Sequence, residues 1–440
     1  MNYEKAIERY DRIYKRVEVA DLLGIWNAND GDLNVYVHSP FCPSICKFCY
    51  YKGVEFSFES DAALYDRYYS NYLPGSVAPF RNLLQSRNIG NYFFGGGTPS
   101  LMRPDTMRAV FDLFPNFEAV GSKTFELHPA VWTKEQVDIL AERNFNCCIV
   151  GIQSFDKGVL DRQNRRHASF ETVRQLANYI KSKGMYLATD LIYRMDDIDA
   201  EEIFKRDLEL VGELGSDVIS LQLNYDLIRE EDYTESFFEL ILGSALARDY
   251  RWESADSQQI SLNLKKRLKC FRYVRNDVPL QTYRKDIFPF VQSIDEASKT
   301  IGQSANFPSV IGFGSYQNPR KNTFSIVRAP GCVVEYIEIN NGWTHQYYIT
   351  FESRSRDFFD GCVKELELIR ELGAPPMGMK IVFENKVPAL KDDSIFRRVD
   401  SQVTMSVAWD YTNPPIADYV EKLKQVFPHW RWSIDEESPS

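Results

Sequence analysis

Three cysteines stand within eight residues, Cys42-Pro-Ser-Ile-Cys46-Lys-Phe-Cys49, at C-x3-C-x2-C spacing. They follow a short apolar run, 34–38, that reads as a strand, so the thiols sit on the loop leaving it. Thiolates at this spacing converge on zinc or on an iron–sulfur cluster. The absent fourth cysteine favours the cluster. A four-iron cube held by three protein thiolates keeps one iron open, and S-adenosylmethionine can occupy it through its amino and carboxylate groups. An electron from the reduced cube then breaks the sulfonium C–S bond and yields a 5′-deoxyadenosyl radical. The hard chemistry belongs to the cofactors, and the protein supplies position and exclusion of water. A structural zinc site would want a fourth ligand. His38 is the nearest candidate, but it lies at the strand end two residues before Pro40.

Elements must hold that loop in place. The 440 residues are too many for one ordinary core, and 44% hydrophobic with 26% charged residues is a globular composition. Net charge is −10 and the sequence pI about 5.3, which argues against a general nucleic-acid surface. No run of about 18 apolar residues is present, so no membrane span is expected. The eight cysteines include the adjacent Cys147-Cys148 and the isolated Cys270, Cys332 and Cys362, a pattern that suits a reducing cytoplasm better than a disulfide framework.

Tyr3, Ile7, Tyr10, Tyr14 and Val17 recur at helical spacing and predict a packing helix over 3–24. From 33 onward, short apolar runs (35–38, 92–94, 124–127, 147–150, 187–192, 218–223) alternate with helical stretches (61–72, 104–114, 134–143, 170–183, 200–214). Six strands joined by such helices imply a parallel sheet with right-handed crossovers. Beyond 228 the alternation fades. A helix is expected over 235–248, a basic helical stretch over 258–273, a loop over 310–316, and mixed strands and helices up to 432.

Successive strands end in chemically unusual residues. The second runs into Gly95-Gly-Gly-Thr-Pro-Ser100, whose N–H groups could face a carboxylate. The third ends in Glu126-Leu-His-Pro129, the fourth in Gly151-Ile-Gln-Ser-Phe155, the fifth in Asp190-Leu-Ile-Tyr193. One such residue is ordinary structural hydrogen bonding; five at one end of a parallel sheet point to a pocket at the strands' C-terminal ends. The fold class is therefore α/β: a partial (β/α)6 TIM-like barrel over 31–228, preceded by a helical segment over 1–30. A divergent α+β region over 229–440 would cover the pocket and select the substrate.

The ordered set Y-V-H-S-P-F-C-x3-C-x-F-C, F-G-G-G-T-P-S, E-L-H-P, G-I-Q-S-F, R-R-H and D-L-I-Y resembles the radical S-adenosylmethionine superfamily, and within it the branch of the oxygen-independent coproporphyrinogen III oxidase. The resemblance spans 33 to about 225, with a weaker echo at 312–316. It implies that Cys42, Cys46 and Cys49 ligate a [4Fe-4S] cluster and that Phe48 packs on adenine. It implies contacts of Tyr36, Gly96 and Glu126 with the cluster-bound S-adenosylmethionine, and places Ile192 among the cofactor contacts. Gly97, Thr98, Gln153, Arg165 and Asp190 match positions that, in this branch, contact a second one. Tyr36, Glu126 and His128 are the candidates for proton handling.

The chain also departs from that branch. The oxidase carries a further cysteine two places after the third, where Tyr51 stands here, and its glycine-proline after D-L-I-Y is replaced by Arg194-Met195-Asp196-Asp197. The expected activity is radical one-carbon transfer, methylation or cyclopropanation, to an sp2 carbon of an unsaturated or aromatic substrate, as in the related class C methyltransferases. Tyr50, Tyr51, Tyr347 and Tyr348 would suit such a substrate. The alternatives are oxidative decarboxylation of coproporphyrinogen III and a haem chaperone, although the H-N-x-x-Y-W type motif expected of that chaperone is missing and His345 precedes Gln346-Tyr347-Tyr348. A flavodoxin- or ferredoxin-type electron donor, a small-molecule substrate, a monomeric state and a cytoplasmic location complete these expectations.

Overall fold

The structure is a computed structural model. It describes residues 32–49 and 54–224, then 15–17, 23, 240, 249–252, 270–283, 287 and 309–314, and the strands between 323 and 436. The chain divides into two compact units, Asp32–Gln292 with Gly312–Pro319, and Met1–Gly31 with Ser293–Ile311 and Arg320–Ser440.

The first unit carries the site. Six parallel strands, β1 (Leu33–Ser39), β2 (Ile89–Gly96), β3 (Lys123–Leu127), β4 (Cys147–Gln153), β5 (Tyr186–Tyr193) and β6 (Val218–Leu223), pair in sequence order. Their order and direction agree with the alternation read from the sequence. Helices cross between them: α1 (Phe58–Arg67), α2 (Pro104–Phe111), α3 (Lys134–Glu142), α4 (Lys157–Arg162), α5 (Phe170–Ser182) and α6 (Ala200–Leu214). The short α4 precedes the expected 170–183 helix and is an addition to the sequence reading. The parallel pattern stops at Leu223, and the sheet continues through antiparallel strands β7 (Tyr250–Trp252) and β8 (Cys270–Arg275), β8 lying between β6 and β7. The sheet is a mostly parallel α/β sheet, and no closed ring of strands forms among the described residues.

Local chemistry fixes the helix starts. Thr133 and Gln136 form a reciprocal capping box at α3. Ser57, Asp156 and Ser169 each accept a backbone N–H at the starts of α1, α4 and α5. On the helix-covered face of the sheet, Phe94 and Phe125 pack ring against ring with Phe111, Phe117 and Phe145. Phe94, Phe111 and Phe125 are fully buried, each worth roughly 1.5–3 kcal/mol of burial. On the inner face, Cys147, Ile149, Ala188, Val218 and Val274 pack with Val278, Tyr283 and Ile287. These eight close the floor of the half-barrel.

The second unit holds an antiparallel set, Lys15–Val17, Gln346–Glu352, Cys332–Ile339 and Thr323–Ala329, and a mixed four-stranded sheet ordered Phe396–Val399, Gln402–Trp409, Gly378–Asn385, Trp432–Glu436. Two expectations change here. Lys15–Val17 is a strand, because its backbone pairs with residues 347–349, and the rest of the expected 3–24 helix, Leu23 apart, lies outside the described residues. The 310–316 loop opens instead as a strand, Ser309–Phe313. The expected 235–248 helix, nearly all of it, and any helices of the mixed region expected up to 432 also lie outside the described residues. No helix among the described residues is long and apolar enough to cross a membrane.

Candidate radical cofactor site

The cysteine loop leaves β1 and is pinned at both edges. A two-residue ladder, Phe41–Cys42 with Val54–Glu55, closes its base. On the other side it is tied to the segment after α4: Lys47 N–H donates to Gln163 O (3.0 Å), Asn164 Nδ2 to Ile45 O (2.9 Å), and Arg166 N–H to Ser44 Oγ (3.2 Å). Cys49 N–H turns back onto Cys46 O at 3.3 Å. Cys42, Cys46 and Cys49 are partly exposed and in no disulfide. Tyr50 and Tyr51 lie outside the described residues.

The thiols have been given specific neighbours. A Cβ on Gly97 would stand 2.8 Å from Cys42 Sγ and 2.7 Å from Phe41 O, so only glycine lets this backbone come so close. Thr98 hydrogen-bonds the Cys42 thiol, and Arg165 Nη1 donates to Cys46 Sγ at 3.6 Å. Burial, with Cys49 and Cys46 nearby, pushes the Cys42 thiol up to about 12. It therefore needs a bound metal to become a thiolate at neutral pH. Among the described residues no three histidine, cysteine or carboxylate side chains converge as ligands of one metal ion. A four-iron cube makes a different demand: each thiolate takes its own iron at a separate corner, so the thiols stand wider apart. Three thiols outside any disulfide, with a glycine-lined approach and an arginine on one sulfur, fit that group.

The other residues singled out in the sequence gather above the floor. Tyr36 stacks on Phe93 (5.8 Å, 27°) and meets His38 Nδ1 through its hydroxyl at 2.9 Å. Burial lowers His38 to about 3, so it is neutral. Gly96 has φ +113°, a glycine conformation, and donates its N–H to Glu126 Oε2 at 3.1 Å; Gly97 N–H donates to Ser39 O at 2.6 Å. Both donors are thus spent within the fold, unlike the ligand-facing N–H groups read from the sequence. The glycines serve close approach. Gln136 Nε2, donating to Ser100 O and Met102 O, anchors the end of the same loop to α3.

Glu126 and Asp190 are the partly buried carboxyl groups of the mouth. Desolvation, then the Asp190 charge, raises Glu126 to about 8 against the pull of Gly96 N–H. Desolvation raises Asp190 to about 6, opposed by Arg272, Ser220 and Arg165. Gln153 sits at φ +71°, where β4 slips register against β5. Arg165 donates to Gly151 O and lies 5.9 Å over the Phe48 ring. Phe48 and Ile192 pack on one apolar cluster with Val159, Leu160 and Met195, a surface suited to a flat aromatic base. His128 stands apart in kind: it is buried, its Nδ1 accepts Ala130 N–H at 3.1 Å, and burial with Arg165 and Arg166 holds it well below the imidazole range. It is a neutral turn residue here, a poor proton carrier.

Residues 36–206 match the Radical SAM superfamily. The chain carries a radical SAM domain. Over 203 residues it is 31% identical to an oxygen-independent coproporphyrinogen III oxidase of Helicobacter pylori strain J99, covering 45% of this chain and 43% of the relative. It is 24% identical over 201 residues to the heme chaperone HemW of Lactococcus lactis, covering 45% and 50%. The matches thus span half or less of these curated relatives' length. A solved structure of coproporphyrinogen III oxidase (HemN) from Escherichia coli aligns with TM-score 0.55 and 19% identity over 80% of this chain and 78% of that one, which shows a shared fold.

Arg272 and Ser220 are the mouth residues that sequence reasoning missed. Arg272 fell in the stretch read as a basic helix. The available signal was the aromatic and β-branched composition of Cys270-Phe-Arg-Tyr-Val-Arg275, a strand composition obscured by the lysines before it.

Proposed function

We propose that this chain is a radical S-adenosylmethionine enzyme of the coproporphyrinogen-oxidase-like branch, with a [4Fe-4S] cluster on Cys42, Cys46 and Cys49. Its reaction is the oxidative decarboxylation of a propionate side chain on a porphyrinogen-like substrate: S-adenosylmethionine would be the hydrogen acceptor, and a flavodoxin- or ferredoxin-type protein would supply one electron for its cleavage and take one back as carbon dioxide leaves. The observation that carries this reading is the three-thiol loop tied through Arg165 to a mouth holding Glu126 and Asp190; the names of the relatives support the substrate class. When bound, the cluster and its S-adenosylmethionine supply a primary carbon radical able to take hydrogen from an unactivated C–H bond.

The chain's residues prepare the place. Phe48 and Ile192 offer an apolar face to adenine. Glu126, protonated at neutral pH while the mouth is empty, gives up its proton when a cationic amino group arrives to pair with it. The apolar floor keeps water from the space beneath.

A second reading, transfer of a one-carbon unit from another S-adenosylmethionine, draws on two features. Gln153, Arg165 and Asp190 are gathered at the mouth, and Tyr51 stands where the oxidase has its further cysteine. One experiment separates the readings. Anaerobically reconstituted protein is given a reductant, methyl-labelled S-adenosylmethionine and coproporphyrinogen III. 5′-Deoxyadenosine with carbon dioxide and a vinyl product supports decarboxylation; label in the product without carbon dioxide supports one-carbon transfer. C46S is expected to give no deoxyadenosine. Saturable haem binding by a wild-type protein that never cleaves the cofactor would replace both readings with a haem chaperone.

A further inference from the structure

Strand pairing draws one row across the inner face at the level of the mouth. Gly151 pairs with Asp190, Asp190 with Ser220, and Ser220 with Arg272. Residues paired across strands project to the same face. Asp190 and Arg272 are two strand spacings apart, roughly 9–10 Å between backbones. Serine between them is short, so the long arginine side chain can pass over it. The Ser220 hydroxyl is buried, faces the carboxylate, and has no closer hydrogen-bond partner among the described residues. Arg272 Nε is buried as well.

We propose that Arg272 is a positioning residue that fixes the Asp190 carboxylate, across Ser220, as the anionic contact for a sulfonium or ammonium ligand in the barrel mouth. This rests on the reading of the mouth as an S-adenosylmethionine site. Arg165 is the other cation nearby, but it is engaged by Gly151 O, Cys46 Sγ and the Phe48 ring. Arg272 comes before Arg165 among the charges that hold the Asp190 pKa down. An antiparallel strand appended to a parallel half-barrel thereby has a reason to enter the site. Its Val274 fills the floor, and its Arg272, two residues earlier and hence higher because the strand runs the other way, faces the mouth.

The charged and titratable groups facing Asp190 are Glu126 on β3, Cys147 on β4, Arg165 after α4 and Arg272 on β8. Burial places Asp190 at about 6 with Arg272 in position. Without Arg272 the carboxyl holds its proton to higher pH. Affinity for a cation is then lost, as pH falls, at a higher pH than in the native protein.

The test is S-adenosylmethionine binding to the full-length, anaerobically reconstituted protein across about pH 5 to 9, in wild type, R272Q, R272K, D190N and D190N/R272Q. R272Q should weaken binding about tenfold near pH 5, the equivalent of one pKa unit on the acid limb, and move that limb of the profile upward. R272K should leave that limb where wild type has it. In the D190N background R272Q should add no further loss. An R272Q profile that overlays wild type, an R272Q loss that persists undiminished in D190N, or an R272K limb displaced upward would each overturn the inference. Should R272Q not fold, R272M, also uncharged, takes its place with the same expected and overturning limbs. If D190N itself binds as wild type does, the reading of the mouth fails and the inference with it; if only R272Q is silent, the inference alone fails.

Discussion

Ile149 and Gly151 are two residues apart on β4 and face the same interior, yet one closes an apolar floor and the other opens onto a polar mouth. The contrast repeats on neighbouring strands: Ala188 below Asp190, Val218 below Ser220, and on the antiparallel strand Val274 below Arg272. Floor residues are held mainly by apolar packing and carry no formal charge. Mouth residues are held by one another, and they feel the floor through the water it excludes. Desolvation is the first cause that raises both Glu126 and Asp190. The floor thus bears on the protonation of its polar neighbours, Glu126 pairing directly with Ile149, by denying them solvent.

That division can be broken from either side. The largest effect is expected at the rim. In G97A the added Cβ meets backbone and sulfur at 2.7 and 2.8 Å, so the loop carrying Cys42 must move. Iron and sulfide per chain after reconstitution should fall to background. G121A, with nothing within 4 Å of its Cβ, should reconstitute as wild type does. Equal losses in both would show that the close approach does not hold the site.

Next comes the floor. I149A leaves a cavity in a packed cluster and should lower unfolding free energy by about 2–5 kcal/mol, read from urea unfolding. Cluster content and cofactor cleavage per folded chain should stay within about twofold, roughly 0.4 kcal/mol. Loss of cleavage without loss of stability would erase the distinction between floor and mouth.

The smallest effect concerns pH. Glu126 has its pKa raised from 4.5 to about 8 in the folded protein. Between those values the native state holds a proton that the unfolded chain has released. Stability therefore falls as pH rises through the window, and the group favours folding only relative to higher pH. E126Q should flatten this slope in cluster-free protein, gaining on wild type toward pH 8, as read from urea midpoints. An unchanged slope would place the carboxyl in water.

Much of this was legible beforehand. The six parallel strands were visible because each is a short apolar run ended by glycine, proline or a polar residue, with an amphipathic helix after it. The cysteine spacing named its own chemistry, since few uses exist for three thiols on one loop. Other features escaped for physical reasons. The α4 helix is six residues long, too short for its periodicity to stand out. β8 is hidden in the sequence because the basic run before it carries a helical pattern into its first residues. The Gly96 and Gly97 N–H groups looked available, and only the folded chain shows them consumed by Glu126 and Ser39. His128 looked like a proton carrier until its Nδ1 was found in a turn.

The sequence by itself determined the order of the strands, the thiol array and the residue types at each strand end, because these depend on local pattern and on chemistry between near neighbours. Which of those residues face one another was decided by tertiary structure. Asp190, Ser220 and Arg272 are up to 82 positions apart in the chain, from 190 to 272, and meet only because strand register aligns them. Register and direction arise from the whole sheet closing over its floor, and no window of sequence contains that information.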